Sequence, residues 1–179
     1  MPHEGTYRIE RIDATHATQV IAFLKRMRLE LFPEAAHQPL PIDLDAFNSC
    51  YVNRTDAAMY AALTNDDKVI GTIGFLKYDE RFPFLSKKLR QTNTTEIVRC
   101  YIDANYRRLG IGTKLFTMIK DAIAKTGYEN IYLHTHPFLP GGAAFWQAQG
   151  FTEAFVEKDS PWQTIHLCYP FLLNDVSSF

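Results

Sequence analysis

A short stretch between Thr95 and Thr113 constrains the fold of this chain more than any other. Its first part, Glu96–Ile102, is rich in β-branched and aromatic residues, which is typical of a strand. A basic turn with two glycines follows at Arg107–Gly112, and apolar residues then recur at helical spacing up to Gly127. The stretch therefore predicts a strand, a tight turn and an amphipathic helix.

The turn before this helix has the properties of an anion-binding site. The first N–H groups of a helix have no partner within the helix, and the helix dipole places about half a positive charge there. Gly110 and Gly112 carry no Cβ, so a phosphate can approach the backbone closely. Arg107 and Arg108 add positive charge, and a guanidinium suits phosphate. The alternative is that the two glycines only turn the chain.

Two motifs in the chain resemble those of a known superfamily. The pattern Arg-x-x-Gly-x-Gly at Arg107, Gly110 and Gly112 resembles motif A of the GNAT superfamily of acyl-CoA N-acyltransferases. The segment Ala144–Phe151 resembles a second GNAT signature, a helix that ends in Gly-Phe. The strand around Glu96 looks most like that of the histone acetyltransferase branch. P-loop and dinucleotide-binding patterns fit the same turn less well, because each lacks required residues here.

The resemblance implies an α/β (α+β) fold with a mixed central sheet of about seven strands. The sheet would be splayed at the motif A strand and flanked by about four helices. At 179 residues the chain is long enough for one domain with a substantial core, which we expect to span residues 1–179. Sequence patterns predict strands at 6–12, 57–63, 69–78, 96–102, 129–136, 151–156 and 162–169, and helices ending near Leu31 and covering 42–51 and 143–149.

The resemblance also assigns residues to acetyl-CoA, the acyl donor. Main-chain groups of Cys100, Tyr101 and Ile102 would pair with the pantetheine arm, and one N–H near them would stabilise the oxyanion at the thioester carbonyl. The transfer needs no metal. The pyrophosphate would be held by the turn and the start of the helix, through Arg107, Arg108, Leu109, Gly110, Ile111, Gly112 and Thr113.

Glu96 is the candidate general base. A lysine-like amine has a pKa of about 10.4, so only roughly one in a few thousand is neutral at pH 7 and a base must remove the proton. In the histone acetyltransferase branch a Glu at the position of Glu96 has this role. An ordinary Glu, with a pKa of about 4.3, is a weak base, so the site must raise that pKa or pass the proton through water. The alternative is a surface carboxylate.

The leaving thiolate would gain a proton from a general acid. Many GNAT enzymes use a Tyr in the helix of the second motif, but Trp146 occupies that place here. The indole of Trp146 has no transferable proton near pH 7. Tyr132, His134 or His136 on the neighbouring strand could take the role, and of these Tyr132 and His134 join Glu96 as the predicted catalytic residues.

The histidines also raise the question of a metal site. His134 and His136 lie two residues apart on a predicted strand, and His166 and Cys168 could add ligands. No closed four-ligand spacing is visible, so we predict no metal and favour residues that line a cleft or pack structurally.

Two connecting segments carry weaker predictions. Residues 79–93 are partly apolar, and they are basic because they contain Arg81, Lys87, Lys88 and Arg90. This composition suits a lid, a partner contact or a solvated connection with a few buried anchors. In GNAT proteins the region between the first two helices often shapes the acceptor side of the cleft. By that resemblance the candidates for substrate contact are Phe32, Glu34, His37 and Asp43, although for each of them we favour a place in a solvated loop.

Composition limits the partners. The net charge is −1, which gives no support to nucleic acid or a membrane surface as a partner. The three cysteines are odd in number, and the polar start at Met1–Glu4 predicts no signal peptide, so a cytoplasmic location is the simplest expectation. GNAT proteins are often dimers, so a homodimer is possible.

Three functions remain open on the sequence. The first is an acetyl-CoA-dependent N-acetyltransferase, the second a GNAT fold that binds acyl-CoA as a sensor or scaffold without turnover, and the third a nucleotide-binding α/β protein. The broken P-loop and dinucleotide patterns oppose the third. The acceptor could be a small amine, an amino acid, an antibiotic amine, a peptide N-terminus or a protein Lys.

Overall fold

The sheet is the main element of the computed structural model, which describes residues 6–85, 89 and 93–170. Among these residues the strands are β1 (Tyr7–Arg11), β2 (Ala58–Thr64), β3 (Val69–Lys77), β4 (Thr94–Ile102), β5 (Asn130–Thr135), β6 (Thr152–Val156) and β7 (Ile165–Pro170). They form one seven-stranded sheet in the order β1-β2-β3-β4-β5-β7-β6. The α-helices described in full are α1 (Ala17–Leu31), α2 (Ile42–Asp45), α3 (Ile111–Ala124) and α4 (Gly142–Ala148).

The sheet is mixed, as expected. β1 with β2, β2 with β3, β5 with β7 and β6 with β7 pair antiparallel, whereas β4 and β5 pair in parallel. The parallel pairing runs over Thr94–Glu96, at the start of the nine-residue strand β4. Such a short parallel contact is consistent with a sheet that is splayed at this strand. The register places Glu96 opposite Tyr132.

The first of two compact units comprises the described residues of 1–76 and 98–122. Its core is built on the apolar stripe of α1, where Val20, Leu24 and Met27 are fully buried. These residues belong to one cluster with Leu44 and Met59. Residues four and seven positions apart fall on one face of a helix, and burial of that face stabilises the helix.

The second unit comprises the described residues of 77–97 and 123–170. Its core cluster contains Tyr78, Leu85, Leu89 and Tyr132, with Phe82 packed against it. Part of the 79–93 connection is therefore anchored by buried side chains, as one of the three expectations for it required. Its remaining basic residues, Lys87, Lys88 and Arg90, lie outside the described residues.

The helix predictions were correct in part. α1 ends at Leu31 as predicted, two residues before Pro33. The predicted helix over 42–51 was wrong, because α2 ends at Asp45 and a separate π-helical turn covers Asn48–Val52. That wider turn brings the Tyr51 hydroxyl within 2.7 Å of a carboxylate oxygen of Asp43. No described helix is long and apolar enough to cross a membrane.

A glycine in β3 permits close packing beneath the motif A segment. A Cβ placed on Gly71 would lie 2.8 Å from Cδ1 of Ile102 and 3.2 Å from Cγ2 of Ile111. Real Cβ atoms do not approach other atoms so closely, so Gly71 lets β3 pack against the end of β4 and the start of α3. The register between β2 and β3 also shifts between Ala62 and Leu63, which marks a bulge near this glycine.

Candidate active site

The turn that follows β4 leaves the backbone accessible at the start of α3. Arg108 and Gly110 have positive φ angles of 64° and 75°, and a Cβ added to Gly110 would meet nothing within 4 Å. The helix begins at Ile111, so its first N–H groups lie directly after this exposed glycine. These features fit an anion site. Arg107 also has a structural contact, because its Nε donates to the carbonyl of Ile102 at 3.1 Å.

A kink in β4 precedes the segment expected to contact pantetheine. Arg99 has a φ angle of +55°, which is rare for a residue with a side chain and marks an irregularity in the strand. Its guanidinium forms two hydrogen bonds with Asp43, at 2.6 and 2.8 Å, and its carbonyl accepts one from Thr72 at 2.8 Å. Cys100, Tyr101 and Ile102 follow Arg99 and are half-buried. The ion pair between Arg99 and Asp43 therefore fixes the backbone from which these three residues extend.

Asp43 is therefore not part of a solvated loop. It is 8% exposed, whereas Glu34 and His37 are exposed as expected. Burial raises the pKa of the Asp43 carboxyl, but Arg99 and the Tyr51 hydroxyl lower it by more, so the net pKa lies below the usual range. The expectation of a solvated loop was wrong here because the partner of Asp43 lies 56 residues away.

Glu96 is buried and ion-paired in the second unit. Its residue exposure is 4%, and both carboxylate oxygens accept hydrogen bonds from Arg81, at 2.6 and 2.8 Å. His134 lies on the other side, with Nδ1 3.3 Å from one oxygen. The described residues give this buried nitrogen no hydrogen bond of good geometry. The alternative of a surface carboxylate is therefore wrong, and Glu96, Tyr132 and His134 lie together.

The electrostatics of Glu96 differ from one expectation for a general base. Burial raises the pKa of its carboxyl, but His134 and Arg81 lower it by more, so the net pKa lies below the ordinary value. The expectation that the site raises this pKa was wrong for the structure, in which Arg81 is paired with Glu96. Transfer of the proton through water remains as the other expected solution.

A buried hydrogen-bond chain continues from Tyr132. The Tyr132 hydroxyl lies 2.7 Å from Nδ1 of His166, and Nε2 of His166 lies 2.7 Å from a carboxylate oxygen of Glu157. Glu157 then accepts from Nε2–H, and Nδ1 accepts from the phenol. Burial, followed by the nearby Glu96 carboxylate, raises the pKa of Tyr132 well above its usual range. Tyr132 thus has a fixed hydrogen-bond partner.

The other polar candidates have structural contacts. The ring of His136 stacks on Phe138 at 5.3 Å, and its Nδ1 lies 3.4 Å from the Thr164 hydroxyl. Trp146 on α4 is buried against Phe151. Across the described part of the chain, no three His, Cys, Asp or Glu side chains are grouped so that they could hold a metal ion.

The cysteines are unsuited to nucleophilic catalysis. Cys50, Cys100 and Cys168 are free thiols. Burial raises the pKa of Cys100 and of Cys168 to about 12, so both stay protonated near neutral pH. A thiol must ionise to act as a nucleophile, so burial disfavours that role for both residues.

The chain belongs to the GNAT family of acetyltransferases, whose family model matches residues 21–151. It is 23% identical over 151 residues to human N-acetyltransferase 8, a match that covers 81% of this chain and 63% of that protein. The chain therefore spans less than two thirds of the length of that relative.

Solved structures show the same fold. A GNAT-family acetyltransferase from Staphylococcus aureus has a TM-score of 0.70 and 20% identity, with 93% of this chain and 99% of that chain covered. The ribosomal-protein-S18-alanine N-acetyltransferase of Escherichia coli has a TM-score of 0.64 and 14% identity, with 93% and 94% covered. The PaiA N-acetyltransferase of Thermoplasma acidophilum, solved in complex with coenzyme A, has a TM-score of 0.60 and 15% identity, with 92% and 99% covered.

Three residues of the site were missed by the sequence analysis as functional groups. Arg81 was noted only as part of a basic connection, His166 only as a possible metal ligand, and Glu157 not at all. Strand periodicity could have indicated His166, because His134 and His166 are opposite each other in the β5–β7 register. No local pattern indicates the pairing of Arg81 with Glu96.

Proposed function

We propose that this protein is an acetyl-CoA-dependent N-acetyltransferase that moves an acetyl group directly to a primary amine. Membership of the GNAT family supports acyl transfer from an acyl-CoA in general. The observation that carries the finer proposal is a buried carboxylate, Glu96, on the same strand as the backbone segment Cys100–Ile102. We also propose one catalytic domain over residues 1–179, because a single family model spans residues 21–151.

Acetyl-CoA would be held mainly by backbone groups. The N–H groups at the start of α3 and the open backbone at Gly110 suit the pyrophosphate, and exposed Arg108 adds charge. Arg107 also supports the end of β4 through the bond from its Nε to the carbonyl of Ile102. When bound, acetyl-CoA supplies an activated acetyl thioester. The proposed contacts are Cys100, Tyr101, Ile102, Arg107, Arg108, Leu109, Gly110, Ile111, Gly112 and Thr113.

Glu96 would remove the proton that blocks the attack. The acceptor arrives as an ammonium ion, and Glu96 takes one N–H proton directly or through water, which leaves a neutral amine. The amine nitrogen attacks the acetyl carbon, the C–S bond breaks, and the thiolate gains a proton. His134 beside Glu96 and Tyr132 on the neighbouring strand are the proposed sources and carriers of protons at this step.

The test of this proposal is Glu96→Gln with Glu153→Gln as the matched control, because Glu153 is exposed on β6. Removal of a general base should lower kcat by about a hundredfold or more while acetyl-CoA binding, measured by calorimetry, stays unchanged. The control should retain full activity. Wild-type turnover in Glu96→Gln would contradict the assignment of the base.

A second candidate is an acyl-CoA-binding sensor or scaffold without turnover. The observation that favours it is the ion pair that covers both oxygens of Glu96. A sensor would bind acetyl-CoA and release no thiol with any amine, whereas the enzyme releases thiol only when an acceptor is present.

The proposed acceptors are small-molecule or peptide amines. The free thiols support the further proposal of a cytoplasmic location.

A further inference from the structure

Arg81 occupies the place that an amine must reach if Glu96 is the base. Its Nη2 donates to one oxygen of Glu96 at 2.6 Å and its Nη1 to the other at 2.8 Å. Nη1 also donates to Asp79 at 2.8 Å. A guanidinium does not give up a proton in proteins, so this contact is a stable pair with no chemistry of its own.

Aromatic rings complete a cation site around this guanidinium. Its central carbon lies 4.7 Å from the ring centre of Phe82 and 5.8 Å from that of Tyr78, within the range of cation–π attraction. The Glu96 side chain is 6% exposed, whereas that of Arg81 is 37% exposed. The carboxylate is thus the buried end of the site, and Arg81 stands between it and solvent.

The same short segment covers the other candidate catalytic side chains. The ring of Phe82 lies 5.8 Å from the ring of His134, 6.4 Å from that of Tyr132 and 4.9 Å from that of His166. Leu85, which is 2% exposed, anchors the segment in the core of the second unit. The segment Asp79–Leu85 therefore places the guanidinium of Arg81 against Glu96 and the ring of Phe82 against Tyr132 and His134.

We propose that Glu96 and the rings of Tyr78 and Phe82 form the amine subsite, and that Arg81 is a resident cation which the acceptor displaces. This inference rests on the proposed function, because it identifies the subsite with the position of the reacting amine. The acceptor class that fits is a primary ammonium with an adjoining apolar or aromatic group. Once Arg81 has left, an ammonium N–H gives its proton to Glu96, and the products are a neutral amine and a carboxylic acid.

Small guanidinium compounds should bind the vacated subsite without reacting. They reproduce the head group of Arg81, including its two parallel hydrogen bonds and its contact with the rings. A purely positioning role for Arg81 predicts the opposite. In that case its removal would lower activity and would create no new cation site.

The first experiment measures binding of methylguanidinium chloride by calorimetry to the 179-residue chain. We expect Arg81→Ala to bind this probe about tenfold tighter than wild type. In the variant the probe can form the partly exposed, charge-assisted pair with Glu96 that Arg81 forms in wild type. Glu96→Gln in the Arg81→Ala background should remove the gain. The matched control is Arg54→Ala, since Arg54 forms a similar bidentate pair with exposed Asp56. No gain in Arg81→Ala would overturn the proposal.

The second experiment measures turnover with the amine that wild type acetylates fastest in a panel. We expect Arg81→Ala to lower KM for the amine about tenfold without a fall in kcat, and methylguanidinium to compete with the amine but not with acetyl-CoA. Arg81→Lys keeps the charge and loses the fork, so its KM should be intermediate, and it serves if the Ala variant does not fold. A lower kcat with unchanged KM would show that Arg81 only positions Glu96.

The two experiments separate the inference from the proposed function. If wild type releases no thiol with any amine, the enzyme proposal fails, but the methylguanidinium titration still decides whether Arg81 fills a cation subsite. If thiol is released and Arg81→Ala gains no probe affinity, the enzyme proposal stands and the subsite assignment fails.

Discussion

Replacing Asp43 by Asn should destabilise the first unit, because it removes the carboxylate that pairs with Arg99. The side chains of Asp43 and Arg99 are 11% and 19% exposed, so water compensates little for the lost charge. The Tyr51 hydroxyl also donates to Asp43 at 2.7 Å, and the group that accepts this hydrogen bond would lose its negative charge. The ion pair holds a residue with positive φ in place, so its loss should also loosen the kink in β4.

The size of the effect follows from burial. Removing one partner of a buried ion pair costs about 3–5 kcal/mol, and partial exposure of both groups places this pair at about 3 kcal/mol. An Asn retains an oxygen that accepts one hydrogen bond, which offsets about 1 kcal/mol. We therefore expect a loss of about 2 kcal/mol. For a chain of this length that corresponds to a fall in Tm of about 4–8 °C.

The assay is thermal and urea unfolding followed by circular dichroism, with Asp56→Asn as the matched control. Asp56 forms a bidentate pair with Arg54 at 2.7 Å for both bonds, but its side chain is 42% exposed. An exposed pair contributes about 0–1 kcal/mol, so the control should change stability by less than about 1 kcal/mol. Equal losses in the two variants would refute the argument from burial.

The same pair gives a pH dependence with a definite sign. Burial raises the pKa of Asp43, but Arg99 and Tyr51 lower it by more, so folding lowers the pKa overall. A carboxyl of this kind stabilises the native state above its unfolded pKa of about 3.9, and the contribution is lost as the pH falls through the folded value. The difference between wild type and Asp43→Asn should be full at pH 7 and should shrink below about pH 4. A difference that is constant down to pH 2 would contradict the lowered pKa.

Three further predictions concern the donor turn, the packing beneath it and the buried histidine. Gly112→Glu should weaken acetyl-CoA binding by about a hundredfold or more in calorimetry, since a carboxylate would meet the pyrophosphate, whereas Gly112→Ala, which adds only a Cβ, should weaken it much less. Gly71→Val should destabilise the fold by about 1–3 kcal/mol in urea unfolding, because its side chain would overlap Ile102; an unchanged midpoint would contradict the close packing. Burial lowers the pKa of His166 despite Glu157, so its contribution to stability is full above about pH 6.5 and falls at lower pH, and His166→Asn should flatten the stability profile between pH 7 and pH 5.

Elements with a strong local signal were predictable from the sequence. The end of α1 before Pro33 and the hairpin of β2 and β3 depend on residues that lie next to each other along the chain. The motif A turn was predictable for the same reason, because its glycines and arginines fall within six residues, Arg107–Gly112.

The pairs that define the electrostatics of the site were not predictable. Arg81 pairs with Glu96 across 15 residues, Tyr132 with His166 across 34, and Asp43 with Arg99 across 56. Such contacts depend on strand register and on the path of a connection, and neither leaves a local trace in the sequence. The positive φ of Arg99 was not predictable either, because a glycine at this position would have indicated it and an arginine does not.

The most direct test of the account is the release of free thiol from acetyl-CoA, measured across a panel of amines. Our account predicts release that depends on an added primary amine, saturates with that amine and disappears in Glu96→Gln. Absence of release with every amine, from a folded protein that also fails to bind acetyl-CoA, would contradict the proposed acyl transfer.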